Sequence, residues 1–239
     1  MRAMLKTSVG FASVMNYELL IVDDHPLYRA ALLGTITAAY PESECFEADS
    51  VAGLFDALGL HPRPDLLLLD LNLPGAYGFS VLAHLRGSHP TLPVIVVSAM
   101  DGLPVMRQAL AFGAQGFVSK SADAAILTAS VRAVLSGELA FPPGLCASPE
   151  LQIGSAALDV ARRMAQLTAQ QFRVFGMLCA GRLNKQIAYE LQISEATVKA
   201  HMTAILRKFG AVNRTQAVLL AGRLVLDPSE LKLPREEEG

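Results

Sequence analysis

Four consecutive leucines, Leu66 to Leu69, stand between Pro64-Asp65 and Asp70, and Leu71-Asn72-Leu73-Pro74-Gly75 follows at once. A run this short between turn residues does not suit a free-standing helix. It suits a strand buried on both faces, as in a parallel sheet covered by helices. Four weaker runs share the pattern. Residues 17–22 end at Asp23-Asp24, 44–48 form a faint strand, 94–97 end at Ser98, and 116–119 end at Lys120. Helical stretches lie between them at 26–36, with Leu32 and Ile36 as an apolar stripe behind Pro26, and at 51–60, 79–86, 104–112 and 122–135. Strand and helix alternate five times, which predicts an α/β fold with a doubly wound, five-stranded parallel sheet.

The pattern then changes. Phe141-Pro142-Pro143-Gly144 stops the last helix, and 146–154 is rich in Ser, Pro and Gly, so a linker is expected over 140–165. Whether 156–164 adds a helical turn or two is left open. Thr168-Ala169-Gln170-Gln171 has the form of a capping box, followed by the stripe Phe172, Phe175 and Leu178 and a stop at Gly181. Asn184 is expected to cap a short helix reaching Leu191. Gln192-Ile193 makes a tight turn, and Ser194 caps a longer helix. That helix splits by face, with Val198, Met202, Ile205, Leu206 and Phe209 inward. Lys199, Ala200, Thr203 and Arg207 lie opposite, over about 12 Å of helical rise. A small, cationic, hydroxyl-bearing face fits a DNA major groove.

Charge supports the division. Residues 17–138 carry 13 Asp and Glu against 6 Lys and Arg, whereas 166–226 carry 2 against 8. An acidic half followed by a basic half suggests two modules, the second able to meet a polyanion. Cys45, Cys146 and Cys179 and the five histidines are too scattered for metal-ligand spacing, so reduced thiols in a cytoplasm are expected. His25 reads as a loop residue beside the acidic pair rather than a ligand, and His61, His84 and His89 as helix-end or surface residues. No apolar run approaches a membrane span. Residues 1–14 read as an extension ahead of a tidier start at Met15.

Parallel strands share one carboxyl edge, so Asp23, Asp24, Asp70, Ser98 and Lys120 should converge there. Three carboxylates at close quarters need a hard cation or an ammonium among them. Mg²⁺ suits the oxygens and keeps room for a phosphate oxygen, which Ser98 and Lys120 could also hold. Asp70 would be the nucleophile, accepting a phosphoryl group as an acyl phosphate.

These strand-end residues, with Asp70 to Gly75, Ser98-Ala99 and Gly113 to Lys120, resemble the receiver domain of two-component response regulators, a flavodoxin-like fold, over 17–139. The resemblance implies Asp23 and Asp24 in metal binding, Asp70 as phosphoacceptor and metal ligand, and Asn72 as a ligand through its backbone carbonyl. It also implies Lys120 pairing with the phosphoryl group, Ser98 as switch hydroxyl and Phe117 as switch aromatic. Within a second domain placed at 166–226, residues 167–221 resemble the four-helix, LuxR/NarL-type helix-turn-helix domain, carried by Leu167-Thr168, Asn184 to Ala188, Leu191, Ser194, Thr197-Val198-Lys199, His201, Ile205, Lys208 and Arg214. Gln170-Gln171 departs from the usual Arg-Glu there.

By that second resemblance Lys199, Ala200 and Thr203 approach base edges, Arg207 shares their face, and Lys185, Thr197, Lys208 and Arg214 are candidates for phosphates. A dimer-forming helix falls within 212–224. The implied partners are a sensor histidine kinase, operator DNA, a second copy of the chain and RNA polymerase, with no membrane. The expectation is a phosphorylation-controlled transcription regulator, not an enzyme in the usual sense. Two rivals share parts of the pattern. A Mg²⁺-dependent phosphohydrolase wants a second carboxylate two residues after its nucleophile, where Asn72 stands. A small-molecule-responsive LuxR-type regulator predicts a ligand cavity in place of the acidic cluster.

Overall fold

The computed structural model describes residues 16–145 and 155–224. The expected extension at 1–14, the Ser/Pro/Gly-rich 146–154 and the charged tail from Asp227 lie outside the described residues. The first domain runs β1 (Glu18–Val22), α1 (Pro26–Ala39), β2 (Glu44–Ala48), α2 (Val51–Leu60), β3 (Leu66–Asp70), α3 (Ser80–Ser88), β4 (Val94–Ser98), α4 (Leu103–Ala111), β5 (Gly116–Ser119) and α5 (Ala124–Leu135). Every strand pairing is parallel, in the order β2-β1-β3-β4-β5, so the doubly wound sheet is as expected. Successive residues on a strand point to opposite faces. Leu20, Val22, Leu67, Leu69, Val94 and Val96 therefore pack in one core with α2 and α3, and Leu19, Ile21, Leu66, Leu68, Ile95 and Val97 in another with α1 and α5. That two-sided burial is why β3 and β4 read as unbroken apolar runs. At the start of α5 the Asp123 side chain accepts from the Ile126 N–H at 2.8 Å, so the helix begins at Ala124 rather than Ala122.

The second domain contains α7 (Ala169–Cys179), α8 (Asn184–Glu190), α9 (Glu195–Phe209) and α10 (Arg214–Ala221), closed by a 3₁₀ turn at Gly222–Leu224. Thr168 and Gln171 form the reciprocal capping box read from the sequence. Ser194 caps α9, accepting from the Thr197 N–H at 3.0 Å. Asn184 does not cap α8. It is the first helical residue, and the Gln186 side chain accepts from the Leu183 N–H at 2.8 Å instead. The turn into α9 places Gln192 at φ 54°, a left-handed conformation that costs a non-glycine residue about 1 kcal/mol.

Within 140–165, the helix α6 (Ser155–Ala165) answers what the sequence left open. It packs along α3, with Val160 and Met164 buried in the same core as α2, α3, α7 and α9. The two domains are thereby docked. His84 is central and corrects the surface reading of that residue: it is 1% exposed. Its ring lies 4.6 Å from Phe172 and 5.1 Å from Phe55, and Nδ1 stands 3.3 Å from the Met164 carbonyl. Arg173 on α7 donates to the Ala52 carbonyl and pairs with Asp56 of α2. The Phe79 N–H donates to the Leu224 carbonyl at 3.1 Å. Two glycines allow this approach. A Cβ at Gly176 would stand 2.5 Å from the Gly75 oxygen, and one at Gly87 would run into the Ala165 backbone.

Candidate functional site

The chain leaves β1 for the edge strand β2 and returns across the sheet to β3, so the crevice at this switch point opens between the carboxyl ends of β1 and β3. Asp23 follows β1 and Asp70 ends β3. Both are 1% exposed. Lys120, just past β5, reaches across with Nζ 2.7 Å from Asp23 Oδ2 and 2.8 Å from Asp70 Oδ2. Burial raises the Asp70 carboxyl above its ordinary range. The Lys120 bond and the Asn72 N–H, 3.2 Å from Asp70 Oδ1, work against that, and the nearby charge of Asp23 adds to it. For Lys120, burial alone would depress the ammonium, but the bonds and charges of Asp23 and Asp70 outweigh it and leave it raised.

Asp23, Asp24, Asp70 and His25 each place a ligand atom within 4.8 Å of the others. Three carboxylates and one ammonium leave two negative charges in the crevice. Asp24 Oδ1 is buried with no hydrogen-bond partner, while Asp23 Oδ2 is held by the Lys120 ammonium. Hard oxygen donors, excess negative charge and unpaired lone pairs are what a divalent cation would satisfy. The residues present therefore fit one.

Other expected members stand at the rim. Ser98 closes β4 fully buried, and its Oγ accepts from the Met100 N–H at 3.1 Å. Phe117 is packed into the core. Asn72 is exposed, two residues beyond Asp70. Sequence reasoning passed over Tyr28, whose ring lies 5.0 Å from Lys120 Nζ, and Arg29, which donates to the Asp23 carbonyl at 2.6 Å and pairs with Glu47. It also set His25 aside, whose Nδ1 lies 2.7 Å from Asp24 Oδ1. The available signal was position: all three fall in the first turn after Asp24, where a helix start faces the strand edge.

In the second domain Lys199, Ala200, Thr203 and Arg207 are exposed along one side of α9, while Val198, Ile205 and Phe209 are buried on the other. This face is open with the first domain docked. Lys185 and Thr197 are also exposed. Lys208 and Arg214 are differently placed. Lys208 Nζ donates to the Gln166 carbonyl and to Gln171 Oε1 at 2.7 and 2.6 Å, and Arg214 donates to the Arg182 and Leu178 carbonyls. Both brace their own domain, a nonlocal role that spacing along the chain does not reveal.

Residues 19–132 match the response regulator receiver domain, and 165–221 match the bacterial regulatory proteins of the luxR family. A glycerol metabolism activator of Pseudomonas putida is 41% identical over 210 residues, spanning 86% of this chain and 95% of that protein. The chain belongs to the LuxR-type response regulators. The DNA-binding transcriptional activator DevR/DosR of Mycobacterium tuberculosis is 31% identical to this regulator over 87% of its length. A two-component response regulator of the LuxR family from Aurantimonas sp. SI85-9A1 superposes with a TM-score of 0.50 at 27% identity, over 56% of the regulator and 94% of that chain. RcsB from Salmonella enterica serovar Typhimurium, bound to a promoter, reaches the same TM-score at 18% identity and shares the fold. No helix among the described residues is long and apolar enough to cross a membrane.

Proposed function

We propose that this response regulator takes a phosphoryl group from a sensor histidine kinase onto Asp70 and binds operator DNA as a dimer to change transcription. The observation that carries the reading is the buried Asp70 carboxylate at the switch point, with Lys120 Nζ 2.8 Å from one of its oxygens. A carboxylate oxygen of Asp70 attacks phosphorus, the bond from phosphorus to the kinase's imidazole nitrogen breaks, and an acyl phosphate forms. Lys120 is positioned to follow the negative charge from carboxylate to phosphoryl oxygens. Asp23, Asp24, Asp70 and the Asn72 carbonyl would hold Mg²⁺, which supplies charge neutralisation at the phosphoryl oxygens. Ser98 and Phe117 would respond to the new group. Such a site turns over its own phosphate slowly, and the protein works as a switch rather than an enzyme.

The working division is a receiver at 17–139, a joining segment at 140–165 and a DNA-binding domain at 166–226, operating in the cytoplasm where operator DNA is found. Lys199, Ala200 and Thr203 read base edges, Arg207 lies beside them, and Lys185 and Thr197 meet phosphates. Lys208 and Arg214 act as braces, since their donors are taken. Because the recognition face is already open, control falls on pairing. The Leu224 carbonyl, in the 3₁₀ turn that follows α10, is held by the Phe79 N–H, nine residues past Asp70, so a change in that loop reaches the helix expected to form the dimer. Incubation with acetyl phosphate and Mg²⁺ should add one base- and hydroxylamine-labile phosphoryl group and increase operator binding in a mobility shift. Undiminished labelling of Asp70→Asn would remove the central assignment.

A further inference from the structure

Helix α1 begins at Pro26, so Tyr28 falls in its first turn, four and eight residues ahead of the buried Leu32 and Ile36. That spacing puts all three on one helical face. Leu32 and Ile36 lie in the core shared with α5, and Tyr28 packs half-buried at the end of the same stripe. Past the strand ends its ring meets Lys120, whose Nζ stands over the face, 5.0 Å from the centroid. An ammonium has three N–H donors and no acceptor. Two are taken by Asp23 Oδ2 at 2.7 Å and Asp70 Oδ2 at 2.8 Å. Among the described residues no further oxygen receives the third, and the negative face of the ring lies within cation–π reach. The Lys120 side chain is 14% exposed, so the contact is largely out of water, where such an attraction is strongest. Burial raises the Tyr28 hydroxyl above its ordinary range, with Lys120 opposing and Asp23 and Asp70 adding to it. The ring is therefore a neutral partner and leaves the ammonium's charge to the carboxylates.

We infer that Tyr28 is a positioning residue for phosphoryl transfer: its ring holds the Lys120 ammonium over the crevice while the charge it pairs with moves from Asp70 to the phosphoryl oxygens. The inference rests on the reading of Asp70 as phosphoacceptor and adds a residue to that site. In the step an Asp70 oxygen bonds phosphorus, the donor's bond to phosphorus breaks, and its electron pair leaves with the donor. Tyr28 forms no bond and gives up no proton. One Asp70 oxygen becomes the bridging oxygen of the acyl phosphate, so Lys120 exchanges a carboxylate partner for a phosphoryl one. Lysine's flexible four-carbon stem leaves an unheld ammonium free to swing into water at that moment. A single acceptor atom would fix Nζ in one direction. A π face attracts it over a wider area, so Nζ shifts across the ring and keeps this partner throughout.

The test uses the full chain with acetyl phosphate and Mg²⁺, reading the rate of acyl phosphate formation and, separately, Mg²⁺ affinity by calorimetry. Tyr28→Ala should slow labelling about tenfold, while Tyr28→Phe, which keeps the ring, should stay within about twofold of the wild type. A phenylalanine trifluorinated on its ring, placed at position 28, should unfold in urea like Tyr28→Phe but label as slowly as Tyr28→Ala. Fluorine drains the negative face and nearly keeps the ring's shape, so this replacement also carries the test if the alanine variant fails to fold. Mg²⁺ affinity should be the same in every variant. A fluorinated protein that labels as fast as Tyr28→Phe overturns the inference and leaves the ring a packing residue. Wild-type labelling by Tyr28→Ala, or labelling by Tyr28→Phe as slow as that of the alanine variant, overturns it too. A fall in Mg²⁺ affinity that matches the fall in rate does the same, since the ring then acts on the carboxylates rather than on Lys120. A wild-type chain that takes no label, or an Asp70→Asn chain that keeps it, overturns the Asp70 reading and this assignment together.

Discussion

Protonation of His84 should loosen the joint between the two domains. Burial foremost lowers its pKa from 6.5 to about 4; the Met164 carbonyl opposes this, while His89 and Lys208 nearby add to it. The Met164 carbonyl can only accept, so the neutral ring carries its proton on Nδ1 and leaves Nε2 bare. Nε2 is buried and has no partner. A second proton would have to sit there, against Phe55 and Phe172, with nothing to receive it. When the domains separate or unfold, the ring returns to water and to its ordinary affinity for protons. The open state therefore binds more protons than the docked state between pH 4 and 6.5. The contribution of His84 is complete above pH 6.5 and is lost as the pH falls.

At pH 5 the open state is favoured by 1.5 units of protonation, at about 1.4 kcal/mol per unit, or about 2 kcal/mol in all. His84→Phe keeps an aromatic ring between Phe55 and Phe172 and cannot titrate. Urea unfolding of both proteins at pH 7.5 and pH 5, followed by circular dichroism, isolates this group, because every other titrating residue appears in both. The wild type should lose about 2 kcal/mol relative to the variant on acidification. An equal gap at the two pH values would refute the reasoning and mean that the ring is not held neutral by the interface.

Gly176→Ala places a Cβ 2.5 Å from the Gly75 oxygen, and Gly87→Ala makes a similar collision with Ala165. Each should separate the domains, measured as a larger radius of gyration in solution scattering; an unchanged radius would mean that the joint tolerates the extra carbon. Lys199→Ala should narrow the gap between operator and random DNA by about 1–3 kcal/mol, since a base-edge contact carries the discrimination. Lys208→Ala removes two internal bonds, so thermal stability of the second domain should drop while the salt slope of DNA binding is preserved. A slope smaller by roughly one ion would return Lys208 to the phosphate backbone.

Features that a local period or a strand end controls were legible along the chain. Leu66 to Leu69 had to lie inside a parallel sheet because both faces of the strand are apolar, and Asp23, Asp70 and Lys120 had to meet because parallel strands share an edge. The caps at Thr168 and Ser194 were legible because a cap is a matter of three or four adjacent residues. Tertiary structure decided the rest through contacts between residues far apart in the chain. His84 sits on a helix between Ala83 and Leu85, and nothing local announces that Phe172, 88 positions later, will cover it. Lys208 and Arg214 belong to a basic helical pattern in which a brace and a phosphate contact read alike until the carbonyls they hold come within reach. His25 read as a loop residue beside the acidic pair and stands there, its N–H held by Asp23 Oδ1 at 2.8 Å. Periodicity tells which face of an element is buried. Which distant surface buries it, and which polar atoms are left facing one another there, is set only when the chain has closed on itself.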